Sequence, residues 1–382
     1  MPEYDYIIIG AGAAGLMLAD AMGKDAYFSD KSILLLDKDD KKTNDRTWCF
    51  WEKGEGEFDA IVHKKWNYIF FGGQEFSNLF KIAPYTYKVI KGIDFYEDYL
   101  NRIKNYPNIH FKQETVSSVV DSTNFVTVTT TIETYRGKKV MNSIFDYKMA
   151  TYQTKYPVLQ QHFIGWFIKT EKPVFKEDQA TFMDFSVPQE GNTRFMYVLP
   201  FSDTEALLEY TLFSEHLLPK EEYETAIKDY VLEEFGTVNY TITDQEQGSI
   251  PMTCYDFKEH HSKNIRYIGM AGGWAKPSTG YTFMSTARKI PKLIAHLKSG
   301  SPLNKLSFKT KFWFYDLILL DILKRDNSLG QEIFESLFRN RKPQKIFKFL
   351  DEKTSILEDI EMMAAPSPWP FTRALLSRIF NR

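Results

Sequence analysis

The pattern of apolar and polar positions changes period as the chain proceeds. It opens on "YDYIIIG", a short continuous apolar run of the kind found in strands buried within a parallel sheet. "AGAAGLMLADAM" follows as a helix of small and apolar residues, and "SILLLDKDD" returns to a strand, so the chain starts on a predicted βαβ unit. A helix is expected around residues 86–105 ("YKVIKGIDFYEDYLNRI"), then a strand at "NIHFKQETV". "NFVTVTTTIETYRGKKVMNSIFDY" alternates and predicts hairpin strands turning at Gly137-Lys138, with "IFDYK" as a strand ending in Asp146. Pro157 opens a region that reads mostly as strands to about residue 248, interrupted by the helix "PKEEYETAIKDYVLEEF". "IRYIGMAGG" resumes a buried strand and a glycine turn, and "STARKIPKLIAHLKSG" is a helix that Gly300 ends. Residues 304–382 read as helical throughout, with basic and aromatic residues mixed.

One strand of the β-rich region carries an isolated charge. In "EALLEYTLFS" (205–214), period-2 alternation puts Leu207, Glu209, Thr211 and Phe213 on one face and Leu208, Tyr210 and Leu212 on the other. Either that face is wet and Glu209 keeps it soluble, or Glu209 is a buried acid held ready for chemistry; the pattern leaves both open.

Composition narrows the classes. The 382 residues suffice for two or three domains, and 43% apolar content supports a sizeable core. Aromatics reach 16%, with 31 Phe and 22 Tyr, which fits either an aromatic-rich core or a site for a large hydrophobic ligand. A net charge of −2 gives no pull toward nucleic acid. Cys49 and Cys254, far apart, imply no disulfide framework and fit a reducing cytoplasm. No apolar run approaches the ~20 residues of a membrane span, and the start reads as a strand and turn without the basic leader of a signal peptide. The histidines form no metal pattern, so no metal site is expected; His260 and His261 are adjacent and point apart in a strand. Nothing marks an oligomeric state.

Gly10-Ala11-Gly12-Ala13-Ala14-Gly15 matches GxGxxG between a predicted strand and helix, with Asp37 at the end of the next strand, followed by Lys38. Gly10 permits the tight turn, Gly12 lets backbone approach a pyrophosphate, and Gly15 lets helix and strand pack closely. The helix N-terminus offers free N–H groups to the phosphate, and Asp37 is placed for ribose hydroxyls. The fingerprint alone serves FAD and NAD equally. Its N-terminal position and the late glycine turn with Gly272 and Gly273 favour FAD, although Met270 and Ala271 stand where such turns commonly carry an Asp. Lys276, Ser278, Thr279, Gly280 and Tyr281 predict a loop at a helix start, where Ser278 and Thr279 are good N-cap types and the backbone is suited to flavin or phosphate. Arg46, near Trp48, is a partner either for phosphate or for Asp45.

Several segments together resemble the lycopene β-cyclase family of flavoproteins, bacterial type: "DRTWCFWE" (45–52), "QHFIGW" (161–166), "FMDF" (182–185), "YVLPFS" (197–202), "LLEYT" (207–211), "GSIPM" (248–252) and "GMAGGWAKPSTGYTF" (269–283). The resemblance implies a Rossmann-like FAD-binding domain of the glutathione-reductase type, a β-rich substrate domain and a helical C-terminal part. It implies a redox-neutral reaction. A terminal double bond of lycopene is protonated, the cation closes a six-membered ring, and proton loss gives the β-end group. β-Carotene forms via γ-carotene. In the family FAD acts in its reduced form, at the expense of NAD(P)H, and is explained as a counter-charge to the cation. The family's acidic residue in its Leu-x-Glu-x-Thr motif carries over onto Glu209 as general acid/base; where plant members have a second adjacent acid, this chain has Tyr210. Burial among apolar side chains is the physical route to a carboxyl that stays protonated near neutrality.

On this reading residues 1–50, 85–155 and 249–300 form a discontinuous FAD-binding domain, 51–84 and 156–248 the carotenoid domain, and 301–382 the helical region. Trp166, Phe182, Phe185 and Tyr197 are expected to line an apolar tunnel and offer ring faces to a cation, with Asp184 as a second isolated acid. In the tail, Leu375, Leu376, Ile379 and Phe380 against Arg373, Arg378 and Arg382 suit a helix lying on a membrane surface, so a cytoplasmic, peripherally membrane-associated protein is expected. The rival enzyme reading is an FAD-dependent hydroxylase or epoxidase on a lipophilic substrate. Such hydroxylases often carry an Asp-Gly motif, which this chain lacks.

Overall fold

A computed structural model describes residues 1–380, so Arg382 lies outside the described residues. The chain divides into two compact units, each built from separated segments. The first comprises Met1–Trp48, Lys91–Tyr156 and Thr253–Lys311, the second Cys49–Ile90, Pro157–Met252 and the chain from Phe312 onward.

The first unit is built on a seven-stranded sheet. Ile109–Gln113, Ile33–Asp37, Glu3–Ile9 and Thr134–Asn142 lie side by side in that order, all parallel, and Ile265–Tyr267 adds in parallel to Thr134–Asn142. Val126–Thr130 and Val116–Asp121 continue the sheet antiparallel. Ile7, Ile9, Leu34, Leu36, Val126, Val128 and Val140 pack on one face, and their continuous burial accounts for the unbroken apolar runs of the first two strands. The helices Ala13–Lys24 and Phe283–Lys298 pack against each other.

Three local expectations change. The hairpin turns at residues 131–133, and Thr134–Asn142 runs straight through Gly137. A Cβ there would meet Ile7 Cδ1 at 2.9 Å, so this glycine serves close strand packing, not a turn. Residues 85–91 are a strand, because the helix begins only at Gly92, past the "YKVIK" run. "IFDYK" forms no strand; it leads into the short helix Lys148–Thr151.

The second unit carries its own seven-stranded sheet, in the order Tyr240–Thr253, Val158–Thr170, Glu205–Ser214, Thr193–Pro200, Gln179–Asp184, Tyr68–Gly72 and Asn78–Lys81. A small sheet of Thr47–Lys53, Tyr85–Lys91 and Lys64–Trp66 accompanies it. One face of the large sheet is covered by the helix Lys220–Phe235, whose Tyr223, Ile227, Tyr230 and Val231 pack on Ile164, Trp166, Met196, Leu208, Tyr210 and Leu212. His162 ties strands to helix: its ring nitrogens lie 2.6 Å from Tyr223 Oη and 2.7 Å from Ser214 Oγ. The other face is closed in part by the helices Leu329–Asn340 and Pro343–Leu350, which bring Phe334, Phe338 and Phe347 onto Phe71, Phe182 and Phe185.

Candidate active site

Period-2 alternation holds along Glu205–Ser214, and it decides which side Glu209 faces. Leu208, Tyr210 and Leu212 enter the helix-covered core, so Glu209, Thr211 and Phe213 take the other face, the one with the phenylalanines. Directly across the antiparallel ladder, Glu209 stands between Gly165 and Tyr197. Thr211 Oγ1 donates to Glu209 Oε1 at 2.6 Å. Part of the residue stays accessible, yet desolvation dominates its ionisation. Burial first, and the charge of Glu246 second, push the carboxyl up to about 8, against the pull of the Thr211 hydrogen bond. Cys49 shares this environment: burial and then the charge of Glu209 push its thiol well above the ordinary range. Burial therefore favours the protonated carboxyl while part of the residue remains open to a reactant, which is what a proton donor needs.

The expected lining residues split between the two faces. Tyr197, Phe182 and Phe185 lie on the Glu209 side. Phe182 meets Tyr197, Trp51, Tyr87, Phe338 and Phe347 within 6.3 Å between ring centres. Phe185 lies 5.2 Å from Phe195 and 5.9 Å from Phe334. Trp166 and Asp184 do not join them. Trp166 pairs with Leu208 and is packed under the Lys220–Phe235 helix, with Lys228 Nζ 5.6 Å from its ring centre. Asp184 is buried and accepts from Tyr230 Oη at 2.8 Å and the Ser186 N–H at 3.0 Å, so it anchors that helix.

In the first unit the two glycine turns meet. Gly10 has φ +93°, and a Cβ on it would strike Ser143 Oγ at 2.0 Å; a Cβ on Gly15 would fall 1.9 Å from the Gly10 carbonyl oxygen. Gly12, by contrast, has nothing within 4 Å of its Cβ position, and the helix that starts at Ala13 has no side-chain cap. Gly269 of the late turn sits against Ala14, so close that a Cβ on it would lie 3.1 Å from Ala14 Cβ. Asp37 turns its carboxylate onto this turn: Oδ2 accepts from the Ala11 N–H at 2.5 Å, with Lys41 Nζ 3.3 Å from Oδ1. Lys38 is exposed. Gly273 takes φ +68° where a Cβ would press on Phe257, and Gly272 leaves no room beside the Tyr267 carbonyl.

Lys276 to Tyr281 close a loop, the Lys276 N–H donating to the Tyr281 carbonyl at 3.0 Å and the Gly280 N–H to the Lys276 carbonyl at 2.8 Å. The following helix begins at Phe283 with Thr282 at its N-cap, so Ser278 and Thr279 precede the cap instead of forming it. Ser278 and Thr279 are buried, and Thr279 Oγ1, Thr286 Oγ1 and Trp274 Nε1 have no hydrogen-bond partner among the described residues. Trp48 stacks on Phe283 at 5.2 Å, which carries the 45–48 segment to the same helix start. Arg46 pairs there with Asp45 at 3.5 Å. Open space at Gly12, an uncapped helix start and orphaned donors on the neighbouring loop together fit a dinucleotide with phosphates and a polar ring.

The mainly parallel sheet with its glycine-turn crossover, joined in the chain to a second unit with a large, mainly antiparallel sheet, defines a mixed α/β fold of the flavoprotein type, Rossmann-like in its first unit. Over essentially their full lengths the chain is similar to a flavoprotein/dehydrogenase of Cytophaga hutchinsonii (TM-score 0.63, 13% identity, 100% of both chains) and a geranylgeranyl bacteriochlorophyll reductase-like protein of Thermoplasma acidophilum (0.60, 10%, 98% of both). It is similar also to p-nitrophenol 4-monooxygenase of Pseudomonas putida DLL-E4 (0.60, 12%, 99% of this chain and 98% of that one). Residues 5–376 match the model of the lycopene cyclase protein family, and the chain belongs to that family. It is 31% identical over 147 residues to a lycopene beta-cyclase of Paracoccus sp. (strain N81106 / MBIC 01143), a match that spans 37% of each protein.

Sequence reasoning passed over Glu246, Cys49, Tyr87, Gly165 and the phenylalanines of the C-terminal helices. The chain around Glu246 is polar, and only packing across the sheet, over Gly165, brings Glu246 toward Glu209. Phe334, Phe338 and Phe347 do follow helical spacing, but spacing cannot say which surface a helix covers.

Proposed function

We propose that the chain is a lycopene β-cyclase, converting the ψ-ends of lycopene to β-rings through γ-carotene to β-carotene without net redox change. The observation that carries this reading is the Glu209 carboxyl on an aromatic-lined sheet face, opposite Tyr197, where burial favours its protonated form. Glu209 gives its proton to the terminal double bond. The ring faces of Tyr197 and Phe182 beside it are suited to a carbocation, which aromatic faces attract electrostatically. Phe185, Phe195 and Phe334 extend the same apolar surface and keep water from quenching the cation. The ring proton then leaves to a carboxylate, and substrate and product are isomers.

The glycine turns of the first unit are assigned to FAD. Gly10, Gly12, Ala13, Ala14 and Gly15 would hold the pyrophosphate, and Asp37, Lys38 and Arg46 would border the adenosine and phosphate groups. Gly272, Gly273, Lys276, Ser278, Thr279, Gly280 and Tyr281 would line the flavin side. The chemistry the group would supply when bound and reduced, with NAD(P)H as the proposed reductant, is negative charge that favours a cation. Localisation is proposed as cytoplasmic and peripheral to the membrane. No helix among the described residues is long and apolar enough to cross a bilayer, while Trp369, Leu375, Leu376, Ile379 and Phe380 are exposed on the last described helix, Pro368–Phe380.

The test is expression in a lycopene-accumulating bacterium followed by pigment analysis. The expected outcome is cyclised carotenoid with the wild type and lycopene alone with Glu209→Gln. Unchanged lycopene from a folded, flavin-loaded wild type overturns the reading, and NADPH-coupled oxygen uptake would point to the hydroxylase instead.

A further inference from the structure

A second carboxyl lies in the same row as Glu209. The edge strand Tyr240–Thr253 lies beside Val158–Thr170, which lies beside Glu205–Ser214. The middle strand places Gly165 directly opposite Glu209. A Cβ on Gly165 would come 3.3 Å from Glu246 Cγ and 3.6 Å from Glu209 Cβ. The two glutamates therefore approach each other over a position that has no side chain. Any larger residue at 165 would stand between them, with Leu207 Cδ1 only 2.9 Å away.

We propose that Glu209 and Glu246 form a carboxyl pair that shares one proton, with Glu246 as the positioning residue that keeps the proton on Glu209. This rests on the cyclase reading for its consequence, though not for its physics. Like charges at such closeness disfavour double ionisation, so one member stays neutral through the neutral range. Desolvation is the larger influence on Glu209 and the Glu246 charge the next. Near Glu209 lie the Cys49 thiol, which burial and the Glu209 charge push up, Tyr197 directly across the ladder, and Thr211, which adds a hydroxyl donor.

The pair also balances the reaction. Before the step it holds one proton and one negative charge. Glu209 gives the proton to the alkene carbon, the neighbouring double bond supplies the electron pair of the new carbon–carbon bond, and the pair is left with two charges. That state is strongly basic, so the proton released from the ring returns to it, and nothing is consumed.

The experiment is an infrared titration of the flavin-loaded full chain. The protonated-carboxyl band of Glu209 is identified by its absence in Glu209→Gln. In the wild type it should vanish with a midpoint near 8. In Glu246→Gln, isosteric but uncharged, the midpoint should fall by about one pH unit or more, and Glu246→Asp should restore most of the difference. Gly165→Ala, which inserts a methyl between the pair, should also lower it. A midpoint that stays in place in both Glu246→Gln and Gly165→Ala overturns the pairing. The titration needs no substrate, so it is separate from the cyclase test. A moving midpoint with no cyclised product leaves the pair standing and removes the cyclase; product with a fixed midpoint does the reverse.

Discussion

Glu209 must be neutral to donate, and its raised ionisation sets how both activity and stability depend on pH. Cyclisation should hold through neutrality and fall as pH rises past about 8, where the carboxyl deprotonates. Stability moves the same way. Between the ordinary value of 4.5 and about 8 the folded state binds more protons than the unfolded chain, so folding loses support as pH climbs through that window. Glu209→Gln removes the dependence. Its Tm relative to wild type should therefore rise from about pH 6 to about pH 9, measured by thermal melts across pH. The glycines of the first turn make a second residue-level contrast. Gly15→Ala forces a methyl onto the Gly10 carbonyl and should destabilise the fold outright. Gly12→Val has open space and should fold normally while losing flavin on gel filtration. At this scale the sequence was informative where one residue type has one physical use: glycine at the turns, or an acid alone in an apolar strand. It was silent on Glu246, whose neighbours in the chain are polar and whose partner is two strands away.

Among the elements, the Lys220–Phe235 helix and the helices after Phe312 hold opposite faces of one sheet. The first is fastened by polar contacts as well as apolar ones. His162 is buried and held down to about 4 by desolvation, then by the Arg194 charge, so it stays neutral between Tyr223 and Ser214. A depressed histidine stabilises above its ordinary value of 6.5 and loses that stabilisation as pH falls toward 4. Tyr223→Phe removes the partner of a buried ring nitrogen and should cost about 1–3 kcal/mol in urea unfolding. On the opposite face, Phe338→Ala empties the stack on Phe71, 4.3 Å between ring centres, and should cost about 3–5 kcal/mol. Many strands and helices were legible from period, including the alternation along Glu205–Ser214, but the starts and ends around residues 85–91 and 144–148 were not. The faces taken by Trp166 and Asp184 were not legible, because alternation within one strand does not reveal how neighbouring strands register: Trp166 opposes Leu208, and Asp184 opposes Met196, both on the helix-covered side.

For the whole molecule, the exposed apolar residues gather late in the chain. Leu357 is 80% exposed, Trp369 70% and Phe380 77%, while Arg378 is engaged with Asp321 and Ala374 is buried against Ile318 and Ile322. One side of the last described helix thus serves the fold and the other is bare. Trp369→Ser combined with Phe380→Ser should leave stability unchanged and weaken flotation with lipid vesicles by roughly tenfold or more. The distinct periods of the glycine fingerprint and the β-rich stretch were legible in the sequence. The grouping of the C-terminal helices with the second unit was not, because it depends on ring contacts between segments far apart in the chain.

The first unit also has a history written into its connectivity. Its opening turn is completed by Gly269 against Ala14, and Lys298 ties back to Asp25 across 273 positions. During synthesis the first strand and helix emerge long before the segment that finishes them, with most of the second unit's strands translated in between. Only the Val140–Asn142 end of the Thr134–Asn142 strand, which pairs with Ile265–Tyr267, waits through that interval, and an open strand edge favours association over slow, non-local closure. Chains halted before Ile265 should therefore associate more readily than the full-length protein, because that short edge and the face of the first turn against Gly269 both stay uncovered.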